Sequence, residues 1–315
     1  MLASPHVYWG RALPGPGPKA CLIVNPAAGT VRAQLDWGIV SGRLREAGWW
    51  VAQQGTTGPG SAGSIAARAV QDGCKLLVVA GGDGTINEVI QPLIGTDVAL
   101  GLIPVGTANI LARELGIPLD PKEAAEVLVT GHSRHIDVGK ASWPGKPDRY
   151  FCEMVGIGFD AATVHGILPE MKLALGKGAY VVSAVTTSFT HRPSRMRLLI
   201  DGRRCRRLSF MLAISNTGLF GADFLKITPE ATVDDGLFNA ALFRGQSFLS
   251  AWWEFVAIAA RHLKEWTDVE FLTFRQIEVR TARPVPVQID GDPFGTTPLV
   301  VDMVPKALKV MAPAS

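Results

Sequence analysis

Apolar and polar positions in the first 140 or so residues fall into two alternating periods. Short apolar runs at Cys21–Val24, Trp49–Gln53, Lys75–Ala80 and Val98–Val105 suit buried strands. Each gives way to helical spacing. Leu35, Ile39, Gly42, Leu44 and Ala47 share one face, and residues 61–72 are Ala-rich. Ile86, Val89, Ile90, Leu93 and Ile94 mark the next helix. Ile110, Leu111 and Leu115 carry another, stopped by Gly116 and Pro118, and Ala124–Val129 one more. This alternation predicts a parallel sheet with helices on both faces. Each strand ends in a turn of small residues, at 25–30, 55–60, 81–85 and 104–109. Right-handed crossovers gather those turns along one sheet edge, where open α/β sheets bind ligands.

Beyond about residue 140 helical spacing mostly vanishes. Tyr150–Gly156, Met196–Ile200, Arg206–Ser215, Asn239–Phe243, Gln276–Thr281, Val285–Ile289 and Leu299–Val304 read as strands of an antiparallel sandwich or barrel. Two helices are expected near 170–189 and 247–265. The predicted fold class is therefore α/β plus all-β. A flexible tail spans 1–19, a Rossmann-like α/β nucleotide domain 20–141 and a β-sandwich domain 142–301. The break at Ser142-Trp143-Pro144-Gly145 is a linker or hairpin, and the active site is expected in the cleft between the domains.

Composition narrows the partners. A length of 315 residues favours two domains, and 47% hydrophobic content leaves apolar residues to spare for a lipid-facing surface. A net charge of +3 is too small to suggest nucleic acid. Cys21, Cys74, Cys152 and Cys205 form no CxxC, so neither a disulfide frame nor a zinc site is expected, and a cytoplasmic location is the default. No apolar run of membrane-spanning length and no leader pattern is evident. Any membrane contact is expected to be peripheral and transient, at the inner membrane surface.

Candidate chemistry centres on Val78-Val79-Ala80-Gly81-Gly82-Asp83-Gly84-Thr85-Ile86-Asn87-Glu88. Strand, Gly-rich turn and helix lets backbone approach a ligand and aims free helix N–H groups at phosphate. A carboxylate there implies Mg²⁺ or a proton acceptor, and so phosphoryl transfer; a plain turn with a solvated Asp fits the same residues. No GxxxxGK[ST] occurs, and the first βα turn lacks GxGxxG. Thr232-Val233-Asp234-Asp235-Gly236-Leu237 could hold a hard cation or form a β-turn. Ile289-Asp290-Gly291-Asp292-Pro293 offers two carboxylates or a hairpin tip. Arg192, Arg195, Arg197, Arg203, Arg204, Arg206 and Arg207 suit anionic headgroups or a charged edge hairpin. Trp252, Trp253 and Phe255 suit a core or a membrane interface, with the core favoured. His165 and His191 are isolated and receive no role.

GGDGTINEV at 81–89, NPAAG at 25–29, PVGTANILAREL at 104–115, IDVGKA at 136–141, GIGFDA at 156–161 and VDDGL at 233–237 together resemble the diacylglycerol-kinase catalytic-domain family. These are bacterial soluble lipid kinases related to sphingosine and ceramide kinases. The resemblance runs from about residue 20 to the C-terminus and implies that 302–315 rejoins the first domain. It implies an ATP site lined by Asn25, Pro26, Ala27, Ala28, Gly29, Thr56, Gly82, Asp83, Gly84, Thr85, Ile86, Asn87, Glu88 and Thr107. Asp83 would lie close to the metal and the transferred phosphate. A Mg²⁺ site would be formed by Asp235 with the carbonyls of Thr232 and Leu237, and Asp137 would belong to its network. The proton acceptor of the family, the Glu of a DGE motif, falls on Asp292, one methylene shorter, with Asp83 as the alternative. Asn239 stands where many members carry Asp. The implied activity is transfer of the γ-phosphate of ATP to a lipid hydroxyl, diacylglycerol or a related glycerolipid first. Other readings are a ceramide or sphingoid-base kinase, an NAD kinase, which shares GGDGT, and a non-catalytic nucleotide- or lipid-binding regulator. A homodimer is compatible with the sequence.

Overall fold

The computed structural model describes residues 17–29, 37–166, 183, 186–187, 191–219, 227–228, 230–244 and 269–314. The chain divides into two units at Ile136/Asp137 and Pro305/Lys306, and the residues after Pro305 belong with the first.

The first unit runs β1 (Lys19–Val24), α1 (Trp37–Glu46), β2 (Trp50–Gly55), α2 (Ser61–Gln71), β3 (Leu76–Gly81), α3 (Asp83–Ile90), β4 (Ala99–Pro104), α4 (Ile110–Glu114) and α5 (Pro121–Thr130). The strands lie in the order β2-β1-β3-β4, all parallel. Every residue of β3 and β4 is buried. That is why these strands read as unbroken apolar runs: a parallel sheet is covered on both faces.

The strand β5 (His132–Ser142) leads into the second unit. There follow β6 (Arg149–Phe151), β7 (Met154–Gly158), α6 (Phe159–His165), β8 (Ser194–Ile200), β9 (Arg203–Ser209), β10 (Met211–Ser215), β11 (Phe238–Phe243), β12 (Val269–Phe274), β13 (Gln276–Thr281), β14 (Pro286–Ile289), β15 (Asp292–Thr296) and β16 (Leu299–Ala312). One antiparallel sheet has the order β16-β13-β8-β9; the other has β12-β11-β10-β7-β14-β15. Met196, Leu198, Ile277 and Val279 of the first sheet pack on Val155, Ile157, Leu212 and Ile214 of the second. The alternate residues Met211 and Ala213 of β10 face the other way, onto Phe159, Phe210 and Phe243. The strand β16 serves both units: Leu299–Asp302 pair with β13, and Val310 lies beside Leu100 of β4.

The structure revises the expected strand Arg206–Ser215. It is two strands in different sheets, with Phe210 between them. The Phe210 N–H donates to the Phe243 carbonyl at 2.9 Å, and its own carbonyl accepts from the Phe159 N–H at 3.2 Å. Its ring, 1% exposed, stacks on Phe159 with centroids 4.7 Å apart. No turn residue or gap separates the two strands in the sequence, so the pattern does not reveal the change of sheet. The break at Ser142–Gly145 lies in the hairpin joining β5 to β6. The expected helices near 170–189 and 247–265 lie outside the described residues, save that Ser183, Thr186 and Thr187 are helical. Trp252, Trp253, Phe255, Thr30, Leu35 and residues 1–16 also lie outside them. Among the described residues no helix is long and apolar enough to cross a membrane.

Candidate active site

In the first unit the four small-residue turns follow the ends of four adjacent strands, and the polar side chains of the Gly-rich motif tie them together. Asp83 reaches across to the fourth turn. Its Oδ2 accepts the Asn109 N–H and its Oδ1 the Ile110 N–H, both at 2.9 Å. The helix α4 has no side-chain cap of its own, because Asn109 at its N-cap sits at φ 51° and turns its amide back on Gly106. Asp83 therefore caps α4 from the first turn of another helix, α3. Glu88 does the same for α2, whose N-cap is Gly60: Oε1 accepts the Gly60 N–H at 2.7 Å and Oε2 the Ala62 N–H at 3.1 Å. Thr85 Oγ1 accepts from Asn25 Nδ2 at 2.8 Å, and Asn25 Oδ1 in turn receives the Ala27 N–H. One short helix thus braces the first, second and fourth turns.

The start of α3 is different. Gly82 at its N-cap gives no side-chain hydrogen bond, and the α3 carboxylates Asp83 and Glu88 are aimed at other helices. A Cβ on Gly106 would come within 2.4 Å of the Gly82 Cα, and one on Gly29, at φ +72°, within 2.3 Å of the Val105 carbonyl oxygen. Backbone meets backbone here, with no room for side chains. A helix N-terminus bared in this way, ringed by main chain, fits a phosphate.

In the second unit two acidic turns are each held by a buried carboxylate. Asp137, fully buried, clamps the turn at 232–237 from both sides. Its N–H donates to the Val233 carbonyl at 2.6 Å, and its Oδ2 accepts the Gly236 N–H at 2.6 Å. Gly236 has φ 75°, a value that favours glycine. Asp235 stands exposed on this turn, Oδ1 accepting the Leu237 N–H at 2.9 Å. The second turn joins β14 to β15. Asp290 and Gly291 at φ 46° and 81° make a two-residue hairpin between Ile289 and Asp292. Asp290 is 7% exposed and accepts the backbone N–H groups of Cys152, Glu153 and Met154 at 3.2, 3.1 and 2.9 Å. Asp292, the next acid, is exposed. Asn216 links the two clamps, donating to the carbonyls of Asp137 and Cys152 at 3.0 and 2.9 Å.

A second support reaches the hairpin from β14. Gln288 Oε1 accepts the Gly291 N–H at 2.8 Å, and Gln288 Nε2 donates to Asp160 Oδ2 at 2.7 Å. A Cβ on Gly156 would strike that Asp160 oxygen at 2.1 Å, so glycine leaves the room this bond needs. Burial pushes the Asp160 carboxyl up to about 6, partly offset by the Gln288 hydrogen bond.

The family model of the diacylglycerol kinase catalytic domain matches residues 19–141, and that of the YegS C-terminal NAD kinase beta sandwich-like domain matches residues 153–312. A Chromohalobacter salexigens protein named "Probable lipid kinase YegS-like" is 32% identical over 278 residues, 86% of this chain and 87% of that one. The chain belongs to the diacylglycerol kinase family of lipid kinases. Within it, the diacylglycerol kinase of Mycobacterium tuberculosis is 30% identical over 297 residues, 94% of this chain and 95% of its own. A crystal structure of a diacylglycerol kinase from Bacillus anthracis shares the fold, with a TM-score of 0.71, 20% identity, and coverage of 93% of this chain and 96% of that one.

In this lipid kinase the expected nucleotide residues group in one unit, among the strand-end turns. Pro26, Ala27 and Thr107 are exposed, Ala28, Gly84 and Thr56 half-buried, and Ile86 and Asn87 buried in α3. Asp83, expected beside metal and phosphate, has both oxygens on backbone N–H groups. The expected metal residues Thr232, Asp235 and Leu237 share one turn with Asp137 behind it. Their donors would all be oxygen, which suits a hard cation. No group of three or more His, Cys, Asp or Glu able to hold a metal occurs among the described residues. A cation here would rely on the Asp235 carboxylate, main-chain oxygens and water, which Mg²⁺ accepts because it keeps several waters. Asn239 lies on β11, its Oδ1 accepting from Thr273 Oγ1. Sequence reading missed Asp290 as an anchor, missed Asn216 and Gln288 altogether, and gave Asp160 no role. Only the GIGFDA motif pointed toward Asp160.

Proposed function

We propose that this chain transfers the γ-phosphoryl group of ATP to a lipid hydroxyl, with diacylglycerol as the first candidate acceptor. The observation that carries the reading is the uncapped start of α3, set among turns that the α3 side chains themselves hold in place. A triphosphate needs several fixed N–H donors and no opposing carboxylate. That arrangement is what Gly82, Gly84 and the braced turns offer, while Asp83, Thr85 and Glu88 are positioning residues. Membership of a family whose relatives are named diacylglycerol kinases supports the acceptor.

In the second unit, Asp292 is the proton acceptor. The lipid hydroxyl oxygen bonds to the γ-phosphorus, its proton passes to the Asp292 carboxylate, and the β–γ bridging bond breaks with its electron pair leaving on ADP. The clamp on Asp290 fixes the hairpin so that Asp292 is presented without movement of its backbone. Asp235 with the carbonyls of Thr232 and Leu237 would hold Mg²⁺, which when bound offsets negative charge on the transferring group.

The test is transfer of label from [γ-³²P]ATP with Mg²⁺ to diacylglycerol, ceramide, sphingosine or NAD in mixed micelles. Labelled diacylglycerol, lost in Asp292→Asn, supports the reading. Label in ceramide or sphingosine alone changes the acceptor, label in NAD overturns the lipid assignment, and full activity in Asp292→Asn removes that residue from the chemistry.

A further inference from the structure

The hairpin β8–β9 has two unlike faces. Antiparallel partners point to the same side, and Met196, Leu198, Ile200 and Cys205 pack on the sandwich core. The opposite face carries Arg195, Arg197 and Leu199 on β8 and Arg204, Arg206 and Leu208 on β9. Arg197 lies directly across from Arg206. Like charges so placed oppose strand pairing, and Arg280 of β13 lies beside Arg197 on its other side. Among the described residues none of Arg195, Arg197, Arg204 and Arg206 has an ion pair. Arginines close by are paired: Arg207, on the core side of the hairpin, meets Glu270 at 2.7 Å, and Arg280 of the neighbouring β13, beside Arg197 on this same outer face, meets Glu278 of its own strand. Leu208, between these charges, is 42% exposed.

Protection of an edge strand does not account for this face. That purpose needs charge only on β9, the edge, whereas two of the arginines stand on β8, and an exposed leucine works against it. The hairpin is also held firmly. Asp201 and Gly202 form its two-residue turn at φ 44° and 81°, and Asp201 accepts the Arg275 and Gln276 N–H groups at 3.1 and 2.9 Å. The chain as a whole carries only +3, so attraction to anions must be local to such a patch.

We propose that the outer face of the β8–β9 hairpin docks this chain on a bilayer rich in anionic phospholipid. Arg195, Arg197, Arg204 and Arg206 take the headgroup phosphates, and Leu208 enters the interface beneath them. Guanidinium suits this because it grips phosphate oxygens in pairs. The leucines select a lipid surface over the equally phosphate-rich backbone of a nucleic acid. The proposal deepens the lipid-kinase reading, and it rests on that reading only in supposing that the acceptor lies in a membrane.

Co-sedimentation with vesicles that contain no acceptor lipid tests it. Wild type should bind phosphatidylglycerol/phosphatidylcholine vesicles, release from them at high salt, and ignore pure phosphatidylcholine. Each arginine near the surface contributes about fivefold, so R195Q/R197Q/R204Q/R206Q should bind more than about a hundredfold more weakly. Leu208→Ser should cost a few fold. The fourfold variant should melt no lower than wild type, since a repulsion has been removed. Wild-type affinity in that variant, equal binding to neutral vesicles, or displacement from vesicles by a duplex oligonucleotide at lower concentration would each overturn the proposal. Phosphorylation of a short-chain diacylglycerol dispersed below its micellar concentration separates the two readings. It should be equal in wild type and the fourfold variant. Absence of that activity in both, with vesicle binding intact, would count against the kinase reading and leave the docking face standing.

Discussion

The strand-end turns of the first unit and the acidic turns of the second use carboxylates in opposite ways. In the first, Asp83 and Glu88 are turned onto the N-termini of α4 and α2, and what remains for a ligand is backbone N–H. In the second, Asp137 and Asp290 hold the backbone, and the acids close behind in each turn, Asp235 and Asp292, stay exposed. One unit therefore offers donors and the other acceptors. The proposed reaction would use both: a polyanionic phosphoryl donor needs the former, and an attacking hydroxyl that must lose a proton needs the latter. An acidic residue in a motif takes its role from whether the backbone around it is already satisfied.

The sharpest way to break this comparison is to exchange the roles. Asp292→Asn should lower turnover by about 10²–10⁴-fold, the usual size of a general-base contribution, and leave stability within about 0.5 kcal/mol, as at most exposed sites. Asp292→Glu should keep activity. Turnover and urea unfolding measured on the same samples separate chemistry from folding. Asp290→Ala should behave in the reverse sense, costing about 3 kcal/mol by stranding three backbone donors, with activity lost as a consequence. Asp290→Gly, which suits the positive φ but not the clamp, should not rescue it.

In the first unit, Asp83→Asn leaves one of two backbone donors without an acceptor and should cost about 1–2 kcal/mol. It should also weaken ATP binding measured by calorimetry. If Asp83→Asn binds ATP and unfolds like wild type yet does not turn over, Asp83 is a chemical residue and the comparison fails. Glu88→Gln should cost about 1 kcal/mol for the same reason at one helix end.

The smallest effect concerns Asp160. Burial raises its carboxyl from an ordinary value of 3.8 to about 6 in the fold, so the folded state favours the protonated form. Its contribution is therefore fully present below about pH 4 and is lost as pH rises through about 6. Melting temperatures of Asp160→Asn should be flatter than wild type between those values. An unchanged pH profile would remove Asp160 from the support of the hairpin.

Much of this was legible in the pattern of residues. The buried runs of β3 and β4 and the turns after each strand declare a parallel sheet with a ligand edge, because burial on both faces leaves an unbroken apolar signature. The motif set pointed to a phosphoryl-transfer family. The partners of the motif acids were not legible. Asp83 meets Asn109 and Asp290 meets Cys152 across long stretches of chain, and such pairings leave no period behind. Phe210 hid a change of sheet because its immediate neighbours, Ser209 and Met211, are both buried. Asp160 and Gln288 looked like ordinary polar residues until the fold brought them together against Gly156.

The strand β16 has a consequence for how this protein is made. Its last residues belong with the first unit, where Val310 runs beside Leu100 and Ala312 lies against Gly131. A growing chain usually completes its leading domain while later ones are still being translated. Here β4 has to wait, with one edge unpaired, until the ribosome has worked through Asp137–Pro305. An open strand edge invites pairing with other chains. The nascent protein should therefore lean on chaperones until its final strand emerges, and should aggregate when translation stalls late.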